Sequence, residues 1–467
     1  TELVSNNSKT IILIISPIIT SILTYNLGFT RTQIVAVAAF VMSVLGAFLF
    51  WKYKLIIAFT SVTILLMLGV MDVDTLIESA EFDIILFLIA MTLIVSPLKR
   101  VGFFRWLTIL LLKVSKLNMI HLLIYFMLTS MLLAAIMGAV TSIVLTSTMI
   151  MEFCSYFELD PTMLLIASIL ATNIGSSATA LGNPVGLILA LGAGLSFEEF
   201  IRWACPPAII SVILISLIFT RYYRVQLNRM QEKIMEIIEI RGVTLDIWSA
   251  VEDVRKFSVA SVTFTVTILA IAFHKSIEHI LHLKGVTMLV GIAFLGAAAA
   301  LLLYREESKE IVEKEVDWWS ILFIAFLFSQ TGALKYTGVT EKLAELIVNF
   351  VGGNEYLLLG IVAISAFGLS AFLDNVPTVA AFIPIVLSLA RRGVEVYLIW
   401  WMLLIAGCYA GNLTPLASAA NIIALGILEK KKVKITLKDW LRMCLGPAIM
   451  TFIIALAITL AQFYLIT

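Results

Sequence analysis

Unbroken apolar runs long enough to cross a bilayer constrain this chain more than any other feature. Leu55–Val70, Val286–Leu303 and Ile449–Leu465 are continuous rather than alternating, and a helix needs roughly 20 apolar residues to cross about 30 Å of hydrocarbon. Membrane β-barrels instead alternate apolar and polar residues in strands of roughly ten, so these runs read as helices. Of 467 residues, 61% are hydrophobic and 13% charged, against about 45–50% and about 25% in soluble domains. The chain therefore reads as an all-α polytopic membrane protein, with length for on the order of ten spans. Its 32 Lys+Arg and 31 Asp+Glu give a net charge of +1, which leaves no basic face for nucleic acid.

Cys154, Cys205, Cys408 and Cys444 fall singly in or beside apolar runs, which suits packing rather than metal or redox chemistry. Ile11–Leu27 follows Lys9 without a small-residue cleavage site and reads as a retained first helix within residues 1–31. Arg221–Lys256 mixes seven basic with six acidic residues and reads as an amphipathic interfacial linker, residues 221–260. It separates a first repeat, 32–220, from a second, 261–467.

The repeat rests on four matches in the same order. Leu98-Lys99-x-x-Gly102 recurs as Leu334-Lys335-x-x-Gly338, each after an Asp-led apolar run from Asp83 or Asp317. Val140-Thr141-Ser142 faces Val376-Pro377-Thr378, and Ala178–Leu181 faces Leu413–Leu416. The stretch Ser196–Arg202, leading to Pro207, faces Thr436–Arg442, leading to Pro447. The connection Leu191–Phe197 carries no basic residue, whereas its counterpart Glu429–Thr436 carries four; cytoplasmic loops are rich in Lys and Arg, so the two lie on opposite sides and the repeat is inverted. Arg391-Arg392, set against Glu158 and Asp160 in the other half, argues the other way.

Within the membrane, broken helices are tolerated only where buried in protein or lining a wet cavity. Thr172–Pro184 and Ala410–Asn421 each place Asn, Thr, Gly and Pro between apolar flanks, the pattern of a helix unwound near its middle. Unwinding frees carbonyls for a cation and half-helix N-termini for an anion; close packing of small residues is the other reading. Upstream, Gly138–Ser142 and Asp374–Thr378 lie where an apolar hairpin turns. Asp374, a carboxylate within an apolar stretch, marks an ion path or proton relay, or caps a helix beside Pro377. Asp83 and Asp317 fit helix N-caps and Lys99 and Lys335 fit helix C-termini, while Ser196 with Glu199 fits a capping box. His274, His279 and His282 lack converging ligands for a metal. No GxxxxGK[ST] loop occurs, which argues against ATP as the energy source.

These motifs resemble those of the ion transporter superfamily, which includes arsenite permeases, sodium/proton antiporters, citrate-transporter-like proteins and divalent anion/sodium symporters. Asn173–Pro184 is similar to the group's N-I-G-G-T-A-T-x-I-G-D-P pattern, Gly411–Asn421 to G-N-L-T-P-x-G-S-x-A-N, and Asp374–Thr378 to D-N-x-[PT]-T. Three positions depart from it: Gly138-Ala139 replaces an Asp-Asn pair, Asn183 replaces Asp, and Gly186 replaces Asn. The resemblance implies an inverted repeat of about five transmembrane helices plus one re-entrant hairpin each, two broken helices, scaffold and transport domains, elevator-type movement and a homodimer.

It also implies a site lined by Thr141, Ser142, Asn173, Ser177, Thr179, Asn183, Asp374, Asn375, Thr378, Asn412, Thr414, Ser418 and Asn421. The expected function is secondary active transport across the plasma membrane. It couples Na⁺ or H⁺, with no other metal or cofactor, to a small inorganic or carboxylate anion or metalloid oxyanion. The alternative is a Na⁺/H⁺ antiporter in which Asp374 exchanges the two ions.

Overall fold

The computed structural model describes residues 6–241, 246–281, 287–351, 354–372, 375–430 and 435–466, and every regular element among them is a helix. The chain begins with α1 (Asn6–Asn26), α2 (Arg31–Leu49), α3 (Lys54–Met67), α4 (Val73–Glu78), α5 (Phe82–Arg100) and α6 (Phe103–Val114). There follow α7 (Met119–Met137), α8 (Ala139–Tyr156), α9 (Thr162–Gly175), α10 (Pro184–Ala193), α11 (Phe197–Trp203) and α12 (Cys205–Tyr222). The middle holds α13 (Arg224–Arg241), α14 (Val254–Ala272), α15 (His274–Leu281), α16 (Thr287–Leu303) and α17 (Ser308–Glu315). Then come α18 (Trp318–Tyr336), α19 (Val339–Val351), α20 (Glu355–Ser370), α21 (Asn375–Arg391), α22 (Tyr397–Ala410), α23 (Ala419–Lys430) and α24 (Leu437–Ile466).

Among the described residues seven helices, α1, α5, α7, α8, α12, α14 and α24, are long and apolar enough to cross a membrane. The pair α10 and α11, bent by 114°, passes together as an eighth. The rest of the apolar length is in shorter helices, including α9, α20, α22 and α23, because Gly, Pro and Asn interrupt those runs.

Contacts divide the chain into two compact units, each drawing on both halves: residues 1–86, 317–417 and 436–438, and residues 87–316, 418–435 and 439–467. In the first unit α18 packs against α2 and α3. One apolar cluster joins Val44, Ala47, Leu55, Ala58, Phe323 and Leu327. A second joins Ala36, Ala39, Leu65, Ala333 and Leu334 to Phe29 and Val70. Lipid tails are as apolar as Leu, so the fit of these surfaces and not expulsion from water holds them together. Lys54 is buried, donates to Ser320 Oγ at 2.8 Å, and sits 5.3 Å above the Phe323 ring.

In the second unit α7 lies along α9. A Cβ on Gly175 would stand 2.5 Å from the Cα and carbonyl oxygen of Met131, so glycine sets the approach of the two backbones. The polar α13 is docked by Leu227, Met230, Ile234 and Ile237, all buried, at the three- and four-residue spacing of one helix face. Its Gln231 side chain accepts from the Met119 N–H at 2.8 Å, so this part of the expected linker is anchored to the start of α7.

The caps follow the sequence closely. Asp317 accepts from Ser320 N at 3.1 Å, and Ser196 and Glu199 form the expected reciprocal box at 3.1 and 2.6 Å. Asp83 is the exception: α5 starts one residue earlier, at Phe82, and Asp83 accepts only from its neighbour Ile84 at 2.9 Å. Backbone N–H groups of Ile84 and Ile85 instead reach the Glu81 carbonyl, so the preceding turn closes this helix end.

Replacing Gly175 with Val is expected to lower the thermal unfolding midpoint through an overpacking cost of about 1–3 kcal/mol. Gly291, inside α16, has nothing within 4 Å of an added Cβ, so Gly291→Ala is expected to keep the midpoint or raise it slightly, through helix propensity. Scanning fluorimetry of the purified variants checks both.

Candidate functional site

The turn between α7 and α8 is one residue long. Gly138 adopts φ +88° and ψ 152°, a region glycine reaches without the penalty of a side chain, and the two helices fold back along each other. The hairpin apex is fastened to the segment 176–183 that separates α9 from α10. Ala139 N–H donates to the Gly182 carbonyl at 3.0 Å. The Thr179 hydroxyl donates to the Ala135 carbonyl and accepts from Leu181 N–H, the latter at 3.1 Å.

The segment is unwound because its own side chains compete with the helical ladder. Ser176 Oγ donates to the Asn173 carbonyl at 2.8 Å and accepts from Asn183 Nδ2 at 2.7 Å. Ser177 Oγ donates to the Ile174 carbonyl at 2.7 Å. Asn183 Oδ1 caps α10 by accepting from Gly186 N at 2.8 Å, and Pro184 follows at the first helical position. A Cβ on Gly182 would meet Ser176 O at 2.2 Å, and one on Gly186 would meet Thr179 O at 3.0 Å. A side chain at position 186 would crowd the Thr179–Ala180 backbone, which would have to shift to admit it.

Asn173 Nδ2 donates to Asn421 Oδ1 at 2.9 Å, which ties the first unwound region to the start of α23. Both asparagines are buried, and Ser418 is buried just before α23. At the apex Ser142 is buried and donates to the Ser130 carbonyl at 2.8 Å, so it holds the hairpin together. Thr141 is half-buried and Val140 is 41% exposed, so the apex is accessible. The start of α8 carries no side-chain cap; its first N–H, Ala139, is taken by the Gly182 carbonyl, which leaves the next N–H groups at the positive end of this 18-residue helix for a ligand. A cavity of about 280 Å³ lies against the same segment, at Ala180 and Leu181, and its lining is apolar apart from His274 and Glu278. None of the expected site residues lines it. Among the described residues no cluster of His, Cys, Asp or Glu could hold a metal.

The other unit repeats the key bond. Thr414 Oγ1 donates to the Ala371 carbonyl at 2.6 Å; the pair 414 and 371 stands 235 and 236 residues beyond 179 and 135. Ser370 Oγ adds a bond to the Gly407 carbonyl at 3.1 Å. Asn375 begins α21, and Thr378 and Asn412 are buried. Asp374 lies outside the described residues. The first unit thus holds Asn375, Thr378, Asn412 and Thr414. The second holds Thr141, Ser142, Asn173, Ser177, Thr179, Asn183, Ser418 and Asn421, of which Asn173 and Asn421 are in direct contact. Sequence reasoning passed over Ser176, which lies inside the motif and links its two ends.

A family model described as citrate transporter matches residues 47–348 and 331–466. The chain belongs to the citrate transporter family. As a member of that family it is an integral membrane transporter. It is 29% identical over 389 residues to an uncharacterized transporter of Mycobacterium tuberculosis, covering 81% of this chain and 87% of the relative. It is 28% identical over 414 residues to the 46 kDa membrane protein of Mycobacterium leprae, covering 86% and 92%. The P protein of Homo sapiens is 24% identical over 437 residues, covering 79% of this chain and 52% of that protein.

Thr179→Val keeps the shape of the side chain and removes its bonds at the apex. The expected loss of stability is about 1–3 kcal/mol, because the partner backbone groups are left unpaired, and Thr414→Val is expected to cost a similar amount. Chemical denaturation followed by tryptophan fluorescence checks whether the two match.

Proposed function

We propose that this transporter is a secondary active carrier coupling a Na⁺ or H⁺ gradient to movement of a small anion, foremost a carboxylate such as citrate, or a metalloid oxyanion. The observation that carries the reading is the uncapped, accessible start of α8 fastened to the unwound segment after α9. No Arg or Lys lies in the four motifs, so an anion is held by helix-end N–H groups and hydroxyls, each helix end worth about 0.3–1 kcal/mol. Such a site binds weakly enough to release its substrate on the far side. Carbonyls freed by unwinding, with Asp374, hold the coupling cation.

Inverted topology is supported by an exchange of charged partners. Lys99, at the end of α5, pairs with Glu315, just before α18, at 2.8 Å. Lys335, at the end of α18, acts on Glu81, just before α5. Burial and the nearby Asp83 push the Glu81 carboxyl above its ordinary range, and Lys335 pulls it back. In each pair a cation in the last turn of one helix acts on a carboxylate just before the other, the pattern expected of oppositely directed copies. We extend this reading to the repeats at 32–220 and 261–467 joined by 221–260, to elevator-type movement, and to a homodimer in the plasma membrane.

The test is uptake of labelled citrate and related anions into proteoliposomes under an imposed Na⁺ or H⁺ gradient. Gradient-dependent accumulation is expected, and Asp374→Asn is expected to abolish it. Proton release on adding Na⁺, with no anion accumulated, would instead make the protein a Na⁺/H⁺ antiporter. Full uptake by the Asp374→Asn variant would remove Asp374 from the mechanism.

A further inference from the structure

Three buried polar side chains away from the motifs share one level of the α2–α3–α18 packing. Ser43, Ser61 and Gln330 are each 0% exposed. Neither hydroxyl, and neither end of the amide, has a hydrogen-bond partner among the described residues.

Each stands between the same two apolar clusters on its own helix. Ser43 lies between Ala39 and Ala47, Ser61 between Ala58 and Leu65, and Gln330 between Leu327 and Leu334; in every pair one residue belongs to each cluster. Independent contacts fix the level. A Cβ on Gly46 would touch Ile57 at 2.6 Å, and on these antiparallel neighbours three residues back and four residues on lead to Ser43 and Ser61. Lys54 sits over the Phe323 ring at 5.3 Å; seven residues, two turns, onward along each helix lead to Ser61 and Gln330. Phe40 packs against both clusters beside the same layer.

We propose that Ser43, Ser61 and Gln330 form a hydrated site, in which one or two ordered waters bridge the three side chains and hold α2, α3 and α18 in register. Buried polar groups without partners are costly in an apolar interior, and a buried water characteristically makes about three hydrogen bonds to such groups. The chemistry selects water over a cation. The amide supplies a donor as well as an acceptor, none of the three groups carries negative charge, and the positively charged Lys54 begins α3 two turns, about 10 Å of backbone rise, before Ser61. A layer of this kind sets register because any axial slip of one helix removes its side chain from the shared water.

The test compares Ser43→Ala, Ser61→Ala and Gln330→Leu singly and combined, by scanning fluorimetry of the purified full chain. Each single change is expected to lower the unfolding midpoint, since it strips one partner from the water and leaves the other two groups stranded. The triple variant, dry and apolar, is expected to recover the wild-type midpoint or exceed it. Single changes that leave the midpoint unchanged or raise it, and add up in the triple variant, would overturn the proposal. So would a Na⁺-dependent rise in midpoint that Gln330→Leu removes, which would make the occupant a cation. Hydroxyl-radical labelling by synchrotron irradiation of the folded wild-type chain needs no variant. Modification at Leu327, fully buried beside Gln330, is expected from a neighbouring ordered water, and its absence would contradict the site.

Discussion

A backbone carbonyl or N–H in hydrocarbon must find a partner within the protein, and the rest of this structure depends on how one unwound segment meets that demand. Residues 176–183 leave the helical ladder, and the neighbouring hairpin takes its place. Gly182 O receives Ala139 N–H, Thr179 reaches Ala135 O, and Ser176 joins Asn173 to Asn183. Glycine makes this geometry accessible at two points. Gly138 turns the chain in a single residue, and Gly175 lets α7 and α9 approach until their backbones touch.

For the proposed function, the consequence is a helix N-terminus whose partial charge, rather than a Lys or Arg, faces the ligand. The end of α8 is presented without a cap because the residue before it is glycine, and an Asp or Ser there would satisfy the helix from within. The same bond recurs at Thr414 and Ala371 in a different unit, so the two halves stabilise their breaks by one chemical device. The Asn173–Asn421 link has no such double. Cys408 and Gly186 stand at the corresponding positions, and neither has an amide to offer, so this tie is made once.

Much of this was legible from the sequence, for identifiable reasons. Continuous apolar runs announced helices, and Gly, Pro and Asn clusters within them announced breaks, because lipid permits few alternatives. Asp317 and the Ser196–Glu199 box were legible because capping is a local property. Asp83 was not, since the turn at Glu81 advanced the helix start by one residue. Asn183 is a site candidate from its motif alone; what the fold adds is that its amide caps α10 and donates to Ser176. The pairing of Asn173 with Asn421 needed the fold, because 248 residues separate them. The polar layer at Ser43, Ser61 and Gln330 was equally hidden, its members being unremarkable in three separate runs.

The central claim is that the α8 apex, beside the unwound segment, meets the transported anion. It is tested most directly by a single cysteine at Thr141 in a chain whose four native cysteines are replaced. The measured quantity is its rate of reaction with a membrane-impermeant thiol reagent in proteoliposomes. The account predicts that the reaction slows when citrate and the coupling cation are present together. A rate indifferent to every transported anion would contradict it.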